Sequence, residues 1–115
     1  MSNRELLEMA AKAARLNAFW NETRNCMELF TEEDHRYIGD WRPDSDDGES
    51  LRLAVRLNMS VEANIDSIYC VSIDADTMAL SGTDSDCPEE FSEAKMGVVR
   101  LAVLRCAASI GRQMP

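Results

Sequence analysis

The last third of the sequence carries the longest amphipathic pattern in the chain. Asp86-Cys87-Pro88-Glu89 has the signals of a helix start, because proline suits the first turn and Asp86 with Glu89 forms a capping pair. Apolar residues then recur at helical spacing as far as Gly111, which we expect to end the helix: Phe91, Ala94, Val98, Val99, Ala102, Val103, Cys106 and Ile110. A helix over residues 88–110 would be about 35 Å long. In a chain of 115 residues it must cross the whole domain and pack along a sheet.

Two further segments, residues 3–16 and 47–58, predict shorter helices. Each begins with a capping box, in which a polar side chain and an acid three residues later satisfy free amides at the helix start: Ser2 with Glu5, and Asp46 with Glu49. In the second of these helices, three apolar residues share the face that we expect to pack inward: Leu51, Ala54 and Val55.

β-favouring segments separate these helices. Before the second helix, residues 17–20 and 26–30 predict a hairpin, and residues 36–41 predict a further strand or an ordered loop. After it, residues 59–65 and 67–73 predict a second hairpin. The first segment alternates apolar and polar residues, and the second is rich in β-branched and aromatic residues.

Residues 74–86 hold four aspartates with Ser81 and Gly82, and they predict an exposed connection in which Met78 and Leu80 pack. The order helix, strands, helix, strands, helix indicates an α+β fold with three helices and a small, mainly antiparallel sheet. No repeat or linker interrupts it, so residues 1–115 are predicted to form one domain.

The charge is strongly acidic and unevenly placed. The net charge is −9, which argues against a surface for nucleic-acid phosphates or anionic membranes. Residues 31–50 hold eight acids and two bases, and residues 59–92 hold eight acids and no base. Some of these acidic residues are explained by helix capping. The acidic residues without that explanation are where we expect an interaction surface: Glu32, Glu33, Asp34, Asp74 and Asp76. We expect Tyr37 and Trp41 to be the aromatic anchors of this surface.

Residues that commonly perform chemistry do not form a recognisable pattern. The four cysteines (Cys26, Cys70, Cys87 and Cys106) contain no C-x-x-C pair, and His35 is the only histidine. The aspartate-rich segments do not fit the spacing of a calcium-binding loop. We therefore predict no catalytic residue, no metal and no cofactor. The open alternative is a reactive Cys87, whose pKa a helix N-terminus would lower.

A motif in the middle of the chain carries a family resemblance. Trp41-Arg42-Pro43 is followed by Asp46-Asp47-Gly48-Glu49 and then by Leu51-Arg52-Leu53-Ala54-Val55-Arg56-Leu57. This pattern, with the Ala/Leu-rich first and last helices, resembles a group of small tailed-phage and prophage proteins similar to the phage ABA sandwich domain. The resemblance implies a layered α/β/α arrangement and no established activity. The motif also has a structural explanation, in which Trp41 and Pro43 hold the loop, Asp46 or Asp47 caps the helix and Gly48 permits a tight entry.

These observations favour a small acidic phage accessory protein that is not an enzyme and binds a host or phage protein in the host cytoplasm. One alternative is a phosphate-mimicking inhibitor of a nucleic-acid-binding host defence protein, which would use residues 31–49 and 74–90. Another is a small enzyme or ligand sensor based on Cys87 or the aspartates. We expect a partner with a basic surface, no direct contact with nucleic acid or membrane, and a homodimer formed through the long last helix.

Overall fold

The computed structural model describes residues 2–63, 68–72, 77–81 and 93–115, and it describes side chains for residues 2–61 and 96–115. These residues form an α+β fold, as the sequence predicts, with three helices and antiparallel strands. In chain order the elements are α1 (Asn3–Ala13), β1 (Ala18–Asn21), β2 (Cys26–Phe30), β3 (Tyr37–Trp41), α2 (Asp47–Arg56), β4 (Met59–Ala63), β5 (Ile68–Ser72), β6 (Thr77–Ser81) and α3 (Glu93–Gln113).

Within the described residues, six strands form two separate antiparallel sheets of three strands each. The N-terminal sheet has the order β1-β2-β3 and the C-terminal sheet has the order β4-β5-β6. Strand β6 lies within the segment that the sequence predicts to be an exposed connection, so for Thr77–Ser81 that prediction is wrong. This segment pairs with β5 along its whole length, from Ile68↔Ser81 to Ser72↔Thr77. Its short apolar run, Met78-Ala79-Leu80, is compatible with a strand, but the surrounding aspartates favour an exposed loop in the sequence.

The helices α1 and α3 pack against each other through small side chains. Ala10 of α1 and Ala107 of α3 are both completely buried, and they belong to one hydrophobic core with Leu7 and Leu104. α3 continues to Gln113, so the prediction that Gly111 ends it is wrong. The missing side chain of Gly111 serves close packing instead, because a Cβ atom there would meet the backbone of α1. The predicted helix start at residue 88 lies outside the described residues.

The two sheets pack on different helices, one on α1 and the other on α3. The N-terminal sheet contacts α1 through β1 and β2, and the C-terminal sheet contacts α3 through β5 and β6. α2 packs on α3 and on β4. The order of contacts is therefore N-terminal sheet, α1, α3, C-terminal sheet, with α2 beside α3.

The rotation of α2 differs from the sequence prediction. The helix buries Ser50, Leu53 and Ala54, whereas Leu51 is 66% exposed and Val55 is 72% exposed. The prediction that Leu51 and Val55 pack inward is therefore wrong, although it holds for Ala54. Contacts at the helix start, described below, fix this rotation. They leave two large apolar side chains of α2 on the surface.

Candidate protein-interaction surface

The Trp41–Gly48 motif builds the entry to α2. Trp41 is only 2% exposed and Pro43 is completely buried, so both residues hold the loop in the core. The Asp46 side chain caps the helix by accepting a hydrogen bond from the Glu49 amide at 2.9 Å. The structural explanation of this motif is therefore confirmed for these residues. The expectation that Trp41 is an interface anchor is wrong, because its ring is packed inside the protein.

Gly48 follows the cap in a crowded position. A Cβ atom at Gly48 would lie 3.2 Å from the Asp46 carboxylate and 3.4 Å from the Arg52 guanidinium. The capping carboxylate and the first turn therefore fit closely around a residue without a side chain, which agrees with the predicted tight entry.

Arg100 of α3 holds the same loop from the other side. Its Nε donates to the Asp44 carbonyl at 3.0 Å, and its Nη1 donates to the Asp47 carboxylate at 2.5 Å. The Arg100 side chain is only 11% exposed. This contact is not among the features predicted from the sequence, although an arginine within an apolar stretch of helix is a signal for a buried ion pair. Asp47 thus binds α3, while Asp46 caps α2.

The outer face of the N-terminal sheet carries a strip of three aromatic rings. Phe19 on β1, Phe30 on β2 and Tyr37 on β3 form consecutive ring contacts, with centroid distances of 5.9 Å and 6.0 Å. Phe19 is 55% exposed and Tyr37 is 49% exposed. On the opposite face of the sheet Met27 and Trp41 are buried, whereas Ile38, next to Tyr37 on β3, is 62% exposed. Of these three rings, only Tyr37 is a predicted interface anchor, although strand alternation would place Phe30 on the same face as Glu28.

A β-bulge completes this strip. The pairing of β2 with β3 shifts between Leu29 and Phe30, so Phe30 lies opposite Tyr37 while Leu29 lies opposite Gly39. The extra residue changes the face to which a strand residue points. It brings Tyr37 to the side of the sheet where Asp40 also lies.

Arg24 forms a charged network beside the aromatic strip. Its guanidinium makes two hydrogen bonds of 2.8 Å to the Asp40 carboxylate and one of 2.7 Å to Glu28. The Tyr37 hydroxyl donates to Asp40 at 2.7 Å, and Arg42 donates to Asp40 at 3.1 Å. Hydrogen bonds from Arg24 and then from Tyr37 hold the pKa of Asp40 well below its usual range. The network therefore fixes the position of the Tyr37 ring.

The acidic turn at residues 32–34 lies between β2 and β3, next to Tyr37. Glu32, Glu33 and Asp34 are all exposed. The turn is closed by hydrogen bonds from the Thr31 amide to the Arg36 carbonyl at 2.9 Å and from the Arg36 amide to the Thr31 hydroxyl at 3.0 Å. A further hydrogen bond from the Thr31 hydroxyl lowers the pKa of Asp34. The structure thus brings the predicted residues 32–34 and Tyr37 together, while Asp74 and Asp76 lie outside the described residues.

Most other acids in the first acidic segment already have partners within the protein. Asp40, Asp47 and Glu49 form ion pairs with arginines, and Asp46 caps α2. Within the described residues, Glu32 and Glu33 form no ion pair. The exposed negative charge of this segment is therefore concentrated in the turn.

The described thiols and carboxylates form no arrangement typical of a metal site. Cys26 and Cys106 are buried, and the burial of Cys106 agrees with its place on an apolar face. Cys87 lies outside the described residues, and so does the side chain of Cys70. Among the residues with described positions, no group of three or more His, Cys, Asp or Glu side chains is placed to hold a metal ion. No helix in the described ranges has the length and apolar character needed to cross a membrane.

Comparison with known proteins found no matching family model, no matching curated protein and no matching solved structure. The resemblance to phage ABA sandwich proteins therefore stays a hypothesis that depends on the Trp41–Leu57 motif and the two terminal helices.

Proposed function

We propose that this chain is a non-enzymatic protein-binding domain and that it binds its partner through the outer face of the N-terminal sheet. The binding residues are Phe19, Phe30 and Tyr37 with Glu32 and Glu33, which we call the aromatic–acidic surface. The observation that carries the proposal is the continuous, half-exposed strip of three rings next to an acidic turn.

The aromatic strip has the properties of the centre of an interface. Aromatic residues are enriched at interface centres, and a few of them supply most of the binding free energy. Phe19 and Tyr37 are large and half-exposed, so a partner would remove substantial apolar area from water. The Tyr37 ring is held by its hydrogen bond to Asp40, so binding would cost little side-chain entropy.

The charges around the strip favour a partner with basic residues at its rim. The network around Arg24 is internally paired, whereas Glu32 and Glu33 extend from the turn without ion pairs among the described residues. The net charge of −9 would also speed the approach of a basic protein. A partner that places an apolar patch on the rings and lysines or arginines near the turn fits both features.

The biological setting proposed for this binding follows from the sequence motif. The resemblance to small phage proteins favours a phage accessory protein that acts in the host cytoplasm on a host or phage protein. Phosphate mimicry of a nucleic acid is less well supported, because it needs a spaced array of free carboxylates. In residues 31–49, most carboxylates outside the turn bind arginines or amides of the chain itself.

The test is a comparison of three tagged proteins purified from host cells: the parent, a Phe19→Ser variant and a Leu51→Ser variant. Both variants replace an exposed apolar side chain, but Leu51 lies on α2, away from the proposed surface. We expect the parent and Leu51→Ser to retain the same stoichiometric partner and Phe19→Ser to lose it. A parent without a partner, or a Phe19→Ser variant that retains it, would contradict the proposal.

A salt series with the purified partner tests the contribution of the acidic turn. A Glu32→Gln, Glu33→Gln double variant should weaken binding at low salt and reduce its salt dependence, because rim charges act over a Debye length of about 10 Å at 0.1 M salt. An unchanged salt dependence would remove the acidic turn from the proposed surface.

A further inference from the structure

The side chain of His35, which directly follows the acidic turn, reaches the residue before β1. Its Nδ1 atom lies 3.3 Å from the Nδ2 atom of Asn17. The same Asn17 Nδ2 atom donates a hydrogen bond to the Thr31 carbonyl at 3.0 Å. The Asn17 carbonyl accepts a hydrogen bond from the Phe30 amide at 2.9 Å. Asn17 therefore joins His35 to the strand that carries Phe30 of the aromatic–acidic surface.

The hydrogen bond to Thr31 fixes which group of the Asn17 amide faces His35. The Thr31 carbonyl needs a donor, so the NH₂ group of Asn17 lies at both contacts. His35 accepts a hydrogen bond from that NH₂ group only through an unprotonated Nδ1, which means a neutral ring. A protonated ring carries N–H groups on both nitrogens, so its Nδ1 would meet the Asn17 NH₂ group donor to donor. The contact between His35 and Asn17 therefore requires a neutral His35.

The surroundings of the His35 ring are rich in charge. Glu32 and Arg15 line the same open cavity as the ring, and Asp34 interacts with His35 electrostatically. The charged residues next to His35 along the chain or across this cavity are Glu32, Glu33, Asp34, Arg36 and Arg15. A positive charge on the ring would cancel part of the negative charge with which the acidic turn attracts a basic partner.

We propose that His35 is a pH-dependent switch for the aromatic–acidic surface, an inference that rests on the proposed function. Histidine is the side chain whose charge ordinarily changes between about pH 5 and 8, and His35 is the only histidine in the chain. Above that range, the neutral ring accepts the hydrogen bond from Asn17 and leaves Glu32 and Glu33 to bind a basic partner. Below it, the protonated ring loses the bond to Asn17 and adds a positive charge beside the turn, so a basic partner binds less tightly.

The first experiment follows the contact between His35 and Asn17 in the free protein by NMR, from about pH 8 to about pH 5.5. The side-chain amide resonances of Asn17 should shift with the same midpoint as the His35 ring. The Asn21 side-chain amide is the matched control, because it donates to Glu28 and should not follow the ring. Asn17 resonances that stay fixed while the ring titrates would overturn the contact on which the switch depends.

The second experiment measures binding of a heptalysine peptide with blocked ends, whose side chains stay charged over this whole range of pH. At low salt, the parent should bind the peptide at least about threefold more weakly at about pH 5.5 than at about pH 8. A His35→Asn variant should bind it with nearly the same affinity at both values. Asparagine suits this position because it tolerates the left-handed backbone of residue 35, whose φ is 52°.

The resonances of residues 32–36 separate failure of this inference from failure of the proposed function. If the peptide shifts none of them at either pH, the acidic turn does not bind basic groups, which contradicts the contribution of the turn to the proposed surface and the switch with it. If the peptide binds the turn equally well at both pH values, the switch alone is overturned. A pH dependence that persists in His35→Asn would also overturn the switch alone.

Discussion

The backbone of Gly111 in α3 packs directly on the carbonyl group of Met9 in α1. A Cβ atom at residue 111 would overlap the Met9 carbonyl oxygen and would lie 2.7 Å from the carbonyl carbon. These atoms belong to a helix backbone and cannot rotate away, so any side chain at residue 111 must separate the two helices. This contact sets the distance between α1 and α3.

We predict that Gly111→Ala destabilises the protein by about 1–3 kcal/mol or more, because the added methyl group overpacks the helix contact. Gly97→Ala is the matched control in the same helix. Among the residues whose side chains are described, a Cβ atom at Gly97 would meet only the end of the Arg100 side chain, at 3.5 Å. Replacing a helical glycine with alanine there should stabilise the protein by about 0.5–1 kcal/mol.

Urea denaturation of both variants measures these changes in the free energy of unfolding. Although both variants replace glycine with alanine in the same helix, the free energy of unfolding should fall for Gly111→Ala and rise for Gly97→Ala. If both variants were stabilised, the close contact between Gly111 and Met9 would be contradicted.

We predict that Arg100→Met destabilises the protein by about 1–3 kcal/mol, because it leaves the Asp44 carbonyl and the Asp47 carboxylate without their charged donor. Arg112→Met, at an exposed position in the last turn of α3, should change stability by less than about 0.5 kcal/mol. Thermal unfolding followed by circular dichroism compares the two. Equal melting temperatures for both variants would show that Arg100 does not hold the entry to α2.

We predict that Asp40 makes the protein sensitive to acid. Its pKa in the folded state is lower than in the unfolded chain, where it is about 3.9. The stabilisation is therefore fully present above that value and is lost as the pH falls below about 4. Asp40→Asn should lower stability at neutral pH and reduce its dependence on pH below about 4.

The control for the acid experiment is Glu33→Gln, which removes an exposed carboxylate without disturbing the network around Arg24. Chemical denaturation at several pH values between neutrality and about pH 2 gives the comparison. If Asp40→Asn kept the full acid sensitivity of the parent, the ionised Asp40–Arg24 pair would not be a source of that sensitivity.

The helix starts could be predicted from the sequence because they depend on local chemistry. Ser2 and Asp46 cap α1 and α2 as expected, since a cap needs only a side chain and an amide three residues later. The inward face of α2 could not be predicted in the same way. It depends on where Arg100 reaches Asp47, a contact between residues 53 positions apart.

The candidate surface was predictable in part. The acids at residues 32–34 and Tyr37 are close in sequence, so a single turn between two strands is enough to bring them together in space. Phe19 and Phe30 join Tyr37 only through strand register and a bulge, which single-residue propensities do not determine. The burial of Trp41 could not be predicted, because the sequence does not show whether an aromatic residue at the end of a strand faces solvent or the core.

The packing of Met9 on Gly111 also affects how the chain folds. The two residues are separated by 102 positions in sequence (111 − 9), and Lys12 donates a hydrogen bond to the Met114 carbonyl over the same separation. During synthesis α1 is made first, and its buried alanines find their partners only after α3 has left the ribosome. Closing so long a loop costs entropy before any contact is gained, which favours slow folding. The N-terminal sheet therefore lies beside an incomplete core until α3 has been translated.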